Sequence, residues 1–443
     1  MSNPITKYKN DYLQCALFVK YTYLSDSYIL TMFRYDANND QFIHIPPNTT
    51  HIEFISGDFK DPLPLSVTHM LISDDCHQQH VNIPHGIINV IIGNRFDGYI
   101  DHISQTVTHL LMGLFYNKSI NLPDSLLVLA MSRYYRLPII LPPSLTHLIM
   151  GMVYNVQIIL PESLVDCVMG EEFNQPIVLP HSLKHLKLGW EFNQPIIFPD
   201  SIETLHFGAN FNQENTVLPK NLKTFHMGTS FNKDIVLPES ITDLKFGMNF
   251  NRLITLLPPN LVNFDMGVNF SHFKTILPSS IERLSISDNY NHQSIILPPK
   301  IKYLYIGTKF NKPLILPDGI EVVQFGKKYN QPTIFPDSIR ALHFGSDYNQ
   351  PTILPTYLEK VTFGFSFNQN IILPHSLKSI VIQCYQWHRP LEEQVKSHYN
   401  IIDLFDVKYT YELTLHVDIN RHNYKCKTAS LLNLMTDGNR YFY

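Results

Sequence analysis

Two short markers recur along this chain with a common step of 19 or 20 residues, and this repeat restricts the fold more than any other feature. The first marker is a Leu-Pro pair, replaced by Phe-Pro in two copies, whose prolines recur from Pro123 to Pro374. The second is an aromatic residue followed by Asn, recurring from Phe173-Asn174 to Phe367-Asn368. Two independent markers with one period indicate a solenoid, which grows by adding coils and needs no single large core.

Each repeat contains the elements of one coil. Leu183, Leu186 and Leu188 form an L-x-x-L-x-L pattern that is typical of the strand in leucine-rich repeats. The remainder of the unit carries Pro195 and Pro199, which exclude an α-helix on the return path. The sequence therefore predicts a mainly β, leucine-rich-repeat-like, right-handed solenoid of about 18 turns of 19–20 residues. A parallel sheet is expected on its concave face, with extended or polyproline II segments on its convex side.

The remaining positions of a coil also have predicted roles. Ile196 and Phe198 are expected to pack inward from the return segment, and Gly189 to end the strand where the chain turns. Weaker copies extend the strand pattern towards the N-terminus at residues 50–52, 67–70, 87–90 and 107–110.

The aromatic-Asn pair is interpreted as a structural ladder. An aromatic ring would fill one corner of the coil, and the Asn amide would bond peptide groups of its own and the neighbouring turn. Ligand binding by these asparagines is the alternative, but their recurrence in nearly every coil favours the scaffold. Coils with Arg136 or Ser271 in the Asn slot are expected to be looser. The predicted ladder residues are Phe192, Asn193, Phe211, Asn212, Phe231, Asn232, Phe250, Asn251, Phe310 and Asn311.

Both ends of the chain depart from the repeat. Residues 1–45 are predicted to be an N-terminal cap, built as two strands or a helical hairpin, and residues 46–383 to be the solenoid. Residues 384–443 are predicted to be a C-terminal cap, with a short helix in PLEEQVKSHY and a strand over Lys408–Ile419. Caps are expected because an exposed sheet end invites pairing with another chain.

The unit FNQPIxLPxSLxxLxFG resembles the FNIP repeat over roughly residues 100–383. That leucine-rich-repeat-like family is abundant in social amoebae and in the giant DNA viruses that infect amoebae. The resemblance implies a scaffold for protein interaction and supplies no catalytic residue. Many members also carry an N-terminal F-box, which docks to a ubiquitin-ligase core. Residues 1–45 lack the Leu-Pro start and helical apolar series of an F-box, so at most a degenerate one is expected there.

Strand alternation predicts which side chains leave the core for the concave face. If Leu186 and Leu188 point inward, His185 and Lys187 point outward, each heading a row with one residue per coil. In the Lys187 row, the first third is apolar: Leu71, Ile91, Leu111, Ala130, Ile149 and Val168. Such a stripe is either covered by residues 1–45 or open to a partner. The predicted partner-binding residues lie in the polar middle of this row: Lys187, His206, His226, Lys245, Asp265, Tyr305, Gln324 and His343.

The row headed by His185 is rich in histidine: His51, His69, His109, His147 and His185. His147, Asp166 and His185 occupy consecutive rungs, where side chains can share a zinc ion or sense pH. No fourth ligand can be named, so a solvated strand surface is favoured and no metal or cofactor is expected.

Composition restricts the partner and the compartment. With 34 basic and 38 acidic residues, the chain has a net charge of −4 and lacks the basic surface that nucleic acid requires. No apolar run is long enough to span a membrane, and no leader is recognised at the N-terminus. The five cysteines, Cys15, Cys76, Cys167, Cys384 and Cys426, lie far apart, which favours a reducing compartment.

No enzymatic motif is present. The sequence contains no Gly-rich phosphate loop, G-x-S-x-G, H-E-x-x-H or catalytic carboxylate pair, and Cys167 occupies an inward strand position. The leading prediction is therefore a non-catalytic, cytoplasmic scaffold that binds an unidentified protein on its concave sheet face, in the host cytoplasm if the chain is viral. The alternative is a ubiquitin-ligase substrate receptor with a degenerate F-box. The sequence leaves the oligomeric state open.

Overall fold

A computed structural model describes residues 32–36, 45–59, 62–272, 276–292 and 295–382. The predicted C-terminal helix and the strand over Lys408–Ile419 lie outside these ranges, as do most of residues 1–45. The chain divides into two compact units, Met1–Pro219 and Lys220–Tyr443.

Within the described ranges the secondary structure consists of strands, and no helix occurs. The first unit contains β1 (Met32–Asp36), β2 (His51–Ser56), β3 (His69–Ile72), β4 (His80–Ile83), β5 (Asn89–Ile92), β6 (Tyr99–Ile103), β7 (His109–Leu111), β8 (Val128–Ala130), β9 (His147–Ile149), β10 (Asp166–Val168), β11 (His185–Lys187) and β12 (Thr204–His206). The second unit contains β13 (Thr224–His226), β14 (Asp243–Lys245), β15 (Asn263–Asp265), β16 (Arg283–Ser285), β17 (Tyr303–Tyr305), β18 (Val322–Gln324), β19 (Ala341–His343), β20 (Lys360–Phe363) and β21 (Ser379–Ile382).

Each coil contributes one short strand to a parallel sheet. In the first unit, β1, β2, β3, β5 and β7 to β12 pair in that order. In the second unit, β13 to β21 pair in chain order. Strands that succeed one another every 19 or 20 residues in a parallel sheet define a β-solenoid. The predicted fold class and the number of about 18 turns are confirmed. Strand β1 also carries the sheet into the segment predicted to be the N-terminal cap.

The first unit has a second small sheet that the sequence analysis did not predict. Strands β4 and β6 lie in the return segments of two early coils and pair in parallel, with Val81 opposite Ile100. Neither strand contains a proline. Return segments with an internal proline, such as Pro195, lack one N–H for such a ladder. Proline placement alone does not account for the small sheet, since the proline-free return segment 156–160 forms no strand.

The interior of each coil follows the repeat pattern. Leu183, Leu186 and Leu188 are all buried, as predicted. In the return segment that follows, Phe198 is buried and Ile196 is half-buried, whereas Ile197 between them is exposed. Because the return segment is extended, alternate side chains face opposite sides, and the core receives every second one.

A column of glycines follows the strands because neighbouring coils approach closely there. A Cβ added to Gly189 would lie 1.9 Å from the carbonyl oxygen of Gly170, and one added to Gly345 would lie 1.9 Å from that of Gly326. Neither Gly189 nor Gly345 has a positive φ angle. Coil-to-coil contact, and not the turn conformation expected from the sequence, therefore requires glycine here.

The aromatic residues of neighbouring coils stack on one another in both units. In the first unit, the ring centroids of Phe173 and Phe192 lie 6.2 Å apart with planes 1° apart, and Phe211 follows Phe192 at 6.3 Å. In the second unit, Phe231 and Phe250 lie 6.2 Å apart. Phe310 is similarly stacked between Tyr290 and Tyr329 at 6.1 and 6.3 Å. All five phenylalanines predicted for the ladder, Phe192, Phe211, Phe231, Phe250 and Phe310, are buried.

The asparagines connect each coil to the next through their side-chain oxygens. The Asn193 N–H donates to Asn174 Oδ1 at 2.9 Å, and the Asn212 N–H donates to Asn193 Oδ1 at 3.0 Å. In the second unit, Asn251 donates in the same way to Asn232 at 3.0 Å, and Asn311 to Asn291 at 2.9 Å. The asparagine oxygen thus satisfies a backbone donor where no sheet passes.

Two neighbouring polar residues reinforce this ladder and were not singled out by the sequence analysis. Gln213 Nε2 also donates to Asn193 Oδ1, at 3.0 Å. The serine of each Leu-Pro-x-Ser motif donates to a carbonyl of the preceding coil, as Ser182 Oγ does to Leu164 O at 2.7 Å. At the two irregular positions, the N–H groups of Arg136 and Ser271 still donate to the preceding asparagine, each at 2.9 Å. Arg136 has no side-chain oxygen with which to continue the ladder, so its coil remains predicted to be looser.

Candidate functional site

The candidate site is the exposed face of the parallel sheet, called the sheet face below and defined by the strand positions aligned with His185 and Lys187. The pairing registers align both rows as the sequence analysis placed them. In the first unit, Lys187 lies opposite His206. In the second unit, the remaining predicted partner-binding residues lie on consecutive or nearby rungs: His226, Lys245, Asp265, Tyr305, Gln324 and His343.

Charged groups of the second unit are paired across neighbouring rungs at one end of this face. Lys245 Nζ lies 3.4 Å from Asp265 Oδ2, and His226 Nε2 lies 2.8 Å from Asp243 Oδ1. Asn263 Nδ2 donates to the other Asp243 oxygen at 2.9 Å. Burial alone would raise the pKa of Asp243, but the hydrogen bonds from His226 and Asn263 outweigh burial and lower it. Lys245 and Asp265 are therefore paired, and Asp243 is satisfied by two side-chain partners, which leaves this part of the face polar.

The other end of the second unit presents an aromatic and amide surface. Arg283 lies over the ring of Tyr303, with 4.5 Å between its guanidinium carbon and the ring centroid. Gln324 is exposed, and His343 Nδ1 lies 2.9 Å from Thr362 Oγ1. Burial lowers the pKa of His343, with a smaller contribution from the charge of Lys360, which favours the neutral imidazole.

The first unit holds a buried carboxylate between two histidines. Asp166 is buried on β10, with Oδ2 2.8 Å from His147 Nε2 and Oδ1 3.8 Å from His185 Nε2. Burial lowers the pKa of His185, and the Asp166 carboxylate opposes only part of that effect. The structure therefore brings together the three residues that the sequence placed on consecutive rungs. Within the described ranges, however, no group of three or more histidine, cysteine or acidic side chains is arranged to hold a metal ion.

The histidines nearer the N-terminus are anchored by the threonines that precede them. Thr50 Oγ1 lies 2.7 Å from His51 Nδ1, and Thr68 Oγ1 lies 2.9 Å from His69 Nδ1. The His51 and His69 rings stack with centroids 4.2 Å apart. Burial, and secondarily the charge of His69, lowers the pKa of His51 to about 4. Burial and neighbouring histidine charge also lower the pKa of His69. His51 and His69 are therefore uncharged near neutral pH.

The apolar stripe of the first unit lies on the same face. Leu71, Ile91, Leu111, Ile149 and Val168 are half-buried, with Ala130 buried among them. Most of residues 1–45, which the sequence analysis gave as one possible cover for this stripe, lie outside the described ranges. The stripe offers aliphatic surface of the kind found at the centre of protein interfaces.

Cys167 faces the interior of its coil. The side chain is buried, and burial, with a smaller effect of the Asp166 charge, raises the pKa of its thiol to about 12. A thiol held in the protonated form is a poor nucleophile.

The segments that the structure describes also contain no helix long and apolar enough to cross a membrane.

Sequence reasoning missed part of this surface. Asp243 bonds the predicted residue His226, and Thr362 lies beside the predicted residue His343. Asn263 bonds Asp243 in turn, and none of the three was chosen as a site residue. The available signal was strand alternation, which places residues two apart on the same face.

One short parallel strand per coil, a glycine column and an asparagine ladder define a leucine-rich-repeat-like β-solenoid. The FNIP Repeat family matches this chain seven times, at residues 154–191, 173–208, 192–230, 273–309, 290–328, 310–347 and 329–366. The chain is therefore an FNIP-repeat-containing protein, as the sequence resemblance predicted.

One solved structure supports the same class. The chain is 31% identical to CroV588 from a giant virus, described as a novel circular LRR protein, with a TM-score of 0.64. That match covers 76% of this chain and 60% of CroV588, so this chain spans less than two thirds of its length. YopM from Yersinia enterocolitica WA-314 is 16% identical, over 75% of this chain and 91% of YopM, with a TM-score of 0.39. No curated protein matches significantly.

Proposed function

We propose that this chain is a non-catalytic scaffold that binds a protein partner on its sheet face. The observation that supports the proposal is a contrast within each coil. Ladder positions repeat, as Phe310 and Asn311 do with Tyr329 and Asn330, whereas the aligned face residues Tyr305, Gln324 and His343 differ from rung to rung. In a repeat scaffold, the residues that stack the coils recur from coil to coil, whereas the residues that contact a partner differ between coils. The proposed setting is the cytoplasm, that of the host if the chain is viral.

Two chemically different areas would contact that partner. The stripe of Leu71, Ile91, Leu111, Ala130, Ile149 and Val168 offers aliphatic contacts in the first unit. In the second unit, Tyr305 and Gln324 offer an aromatic ring and an exposed amide on adjacent rungs. Tyrosine is among the residues that most often dominate interface energetics, so Tyr305 is the best single anchor. Lys187 and His206 in the first unit, and His226, Lys245, Asp265 and His343 in the second, would supply polar specificity.

The experiment compares affinity capture by the full chain with capture by two double variants. The face variant carries Tyr305→Ala and Gln324→Ala. The control carries Asp318→Ala and Lys327→Ala, two exposed positions of the same unit that lie outside the sheet face. We expect wild type and control to recover the same protein from a lysate of the native or infected cell, and the face variant to bind that purified protein at least tenfold more weakly. Equal binding by the face variant would refute sheet-face recognition.

A second role, as substrate receptor of a ubiquitin ligase, depends on residues 1–45, of which the structure describes residues 32–36 and 45. Strand β1 pairs Met32–Asp36 with the repeat sheet, which is not the arrangement of a separate helical F-box at those five residues. The role therefore requires residues 1–31 to dock the ligase adaptor. Failure of the full chain to bind that adaptor, purified, at micromolar concentrations would eliminate it.

A further inference from the structure

A row of fully exposed aliphatic side chains runs along the return segments of the second unit, away from the sheet strands. Each coil contributes one residue, with exposed fractions between 72% and 92%. We call this row the aliphatic ridge, and it consists of Val236, Leu256, Ile276, Ile296, Ile315, Ile334, Ile353 and Ile372. The first unit has residues of the same type at the equivalent position of five coils: Ile140, Ile159, Val178, Ile197 and Val217.

The local arrangement around Ile334 is the reverse of what the hydrophobic effect would favour, since the polar side chain faces the coil and the apolar one faces solvent. Thr333 is turned towards the coil, where its hydroxyl lies 2.6 Å from the hydroxyl of Tyr329. Ile334 then faces solvent, and Phe335 returns to the core. Threonine is β-branched like isoleucine and suits an extended backbone equally well, so propensity gives no reason to expose the apolar one.

The next coil repeats this arrangement. Thr352 lies 2.7 Å from the Tyr348 hydroxyl, and Ile353 is exposed. Two consecutive coils therefore place threonine towards the coil and isoleucine towards solvent. Packing within the coil does not require the exposed isoleucines, so they are a feature of the surface.

Charge is absent from the centre of the ridge. Ile315, Ile334, Ile353 and Ile372 have no charged residue within two positions on either side in the sequence. Their exposed neighbours include Pro313, Pro332 and Pro351, which add further apolar surface. Depletion of charge at an apolar centre is the compositional mark of the core of a protein interface.

The size of the ridge is that of an interface. A fully exposed aliphatic side chain presents on the order of 100 Å² of apolar surface, so the eight residues present roughly 800 Å². The largest apolar patch on a typical monomer is about 300–600 Å², and each partner in a stable complex buries about 800 Å². The apolar area of the ridge is therefore larger than the patch that a monomer normally exposes to solvent. It matches the area that each partner buries in a stable complex.

We infer that the aliphatic ridge is a homodimer interface, occupied by the ridge of a second copy of this chain. The repeat distance along the ridge is set by the coil, so a second copy presents aliphatic side chains at the same interval over the whole length. Side chains of one ridge can then lie between those of the other, as in other interdigitated contacts of β-branched residues. Two copies related by a two-fold axis bury the ridge of each copy against that of the other, so the contact is closed at two copies.

A membrane surface fits the ridge less well. Peripheral membrane binding combines apolar residues with Lys or Arg beside them and with Trp or Phe at the interface. The centre of the ridge, from Ile315 to Ile372, is flanked instead by Pro, Thr, Gln and Asn. Vesicle binding is therefore an outcome that would contradict the inference.

The test measures the mass of the full chain by sedimentation velocity over a concentration series. The ridge variant carries Ile315→Thr, Ile334→Thr and Ile353→Thr, which keep the β-branched shape and remove the apolar surface. The control carries Leu65→Thr, Trp190→Thr and Met248→Thr, which are exposed apolar residues outside the ridge. We expect wild type and control to dimerise at micromolar concentration, and the ridge variant to need at least a hundredfold higher concentration with an unchanged circular dichroism spectrum.

Disulfide trapping supplies a second measurement that does not depend on destabilising the interface. Single variants Ile315→Cys, Ile334→Cys and Ile353→Cys are mixed in pairs and oxidised. Number the coils that carry Ile315, Ile334 and Ile353 as 1, 2 and 3. An antiparallel two-fold contact then predicts efficient cross-links only for pairs of variants whose two coil numbers have the same sum. A monomeric wild type, an equally dimeric ridge variant, unselective cross-linking, or binding of neutral phosphatidylcholine vesicles through the ridge would each overturn the inference. Because the ridge and the sheet face are separate surfaces, partner capture through Tyr305 and Gln324 tests the proposed function independently.

Discussion

At the scale of single residues, one asparagine oxygen accepts hydrogen bonds from two donors of the next coil. Asn330 Oδ1 accepts from the Asn349 N–H at 2.9 Å and from Gln350 Nε2 at 3.0 Å. The Asn330 N–H donates in turn to Asn311 Oδ1 at 2.9 Å. The side chain therefore acts as the acceptor that a neighbouring strand would provide inside a sheet.

Replacing this oxygen should cost stability in proportion to the bonds lost. We expect Asn330→Ala to lower the free energy of unfolding by about 1–2 kcal/mol, because the Asn349 N–H and the Gln350 amide lose their acceptor. Asn330→Asp keeps an oxygen at the same place and should retain most of the stability. Urea unfolding followed by circular dichroism provides the comparison. An equal loss of unfolding free energy in the two variants would show that the acceptor oxygen does not contribute to stability.

The stacked histidines predict a specific pH dependence. Because burial and the charge of His69 lower the pKa of His51 to about 4, the unfolded chain binds more protons than the folded one between pH 6.5 and pH 4. The contribution of His51 is therefore fully present above pH 6.5 and is lost as the pH falls towards 4.

We expect the melting temperature of His51→Gln to fall less than that of wild type between pH 6.5 and pH 4.5. The exposed His181 provides the matched control, since His181→Gln should retain the wild-type profile. Differential scanning calorimetry at several pH values gives the profiles. A profile of His51→Gln parallel to that of wild type would exclude a role for His51 in acid sensitivity.

At the scale of the coil, the distance between neighbours is limited by the glycine column. A Cβ at Gly345 would meet the Gly326 carbonyl oxygen, whereas one at Gly319, in the turn of the Leu-Pro-Asp-Gly segment, would meet nothing within 4 Å. The same substitution at the two sites therefore separates coil contact from the general effect of losing glycine.

We expect Gly345→Ala to destabilise the chain by about 2 kcal/mol or more, since backbone atoms must move to admit the methyl group. Gly319→Ala should change stability by less than about 0.5 kcal/mol. Urea titrations of both variants test this, and similar midpoints for the two would contradict a close approach at the column.

Much of the coil was predictable because its markers recur. Leucine spacing gave the strand, and the prolines excluded a helix from the return path, so the solenoid followed from residues such as Leu186 and Pro195. The direction of the return segment was also predictable, since Ile196 and Phe198 were expected to pack inward. In the structure Phe198 is buried and Ile196 half-buried, whereas Ile197 between them is exposed. The pairing of the return strands β4 and β6 was not predicted, because their sequences resemble those of other return segments that form no strand.

The position of the sheet face was predictable from the sequence, but the molecule that binds there was not. Alternation along each strand placed Lys187, Tyr305 and Gln324 outside, and the registers align them accordingly. What binds there depends on the shape and charge of another molecule, which this sequence does not contain. The ion pairs that moderate the face, such as Lys245 with Asp265, also depend on side-chain conformations that spacing does not specify.

At the scale of the whole molecule, stability is expected to add up from coils and from contacts between adjacent coils. Among the strands that the structure describes in the second unit, β13 to β21 pair in chain order, each with its neighbours in the chain. A molecule built in this way tolerates the loss of one complete coil, because the two new neighbours present the same ladder positions to each other.

Deleting one coil is therefore the most direct test that each 19- or 20-residue stretch forms one stacked turn. Removing residues 330–348 joins Tyr329 to Asn349 and preserves the Tyr-Asn-Gln-Pro motif, whereas removing residues 330–339 takes out only part of a coil. Urea unfolding should show the complete-coil deletion to be folded, with a cooperative transition near the wild-type midpoint, and the partial deletion to be severely destabilised. Equal damage from the two deletions would contradict the account.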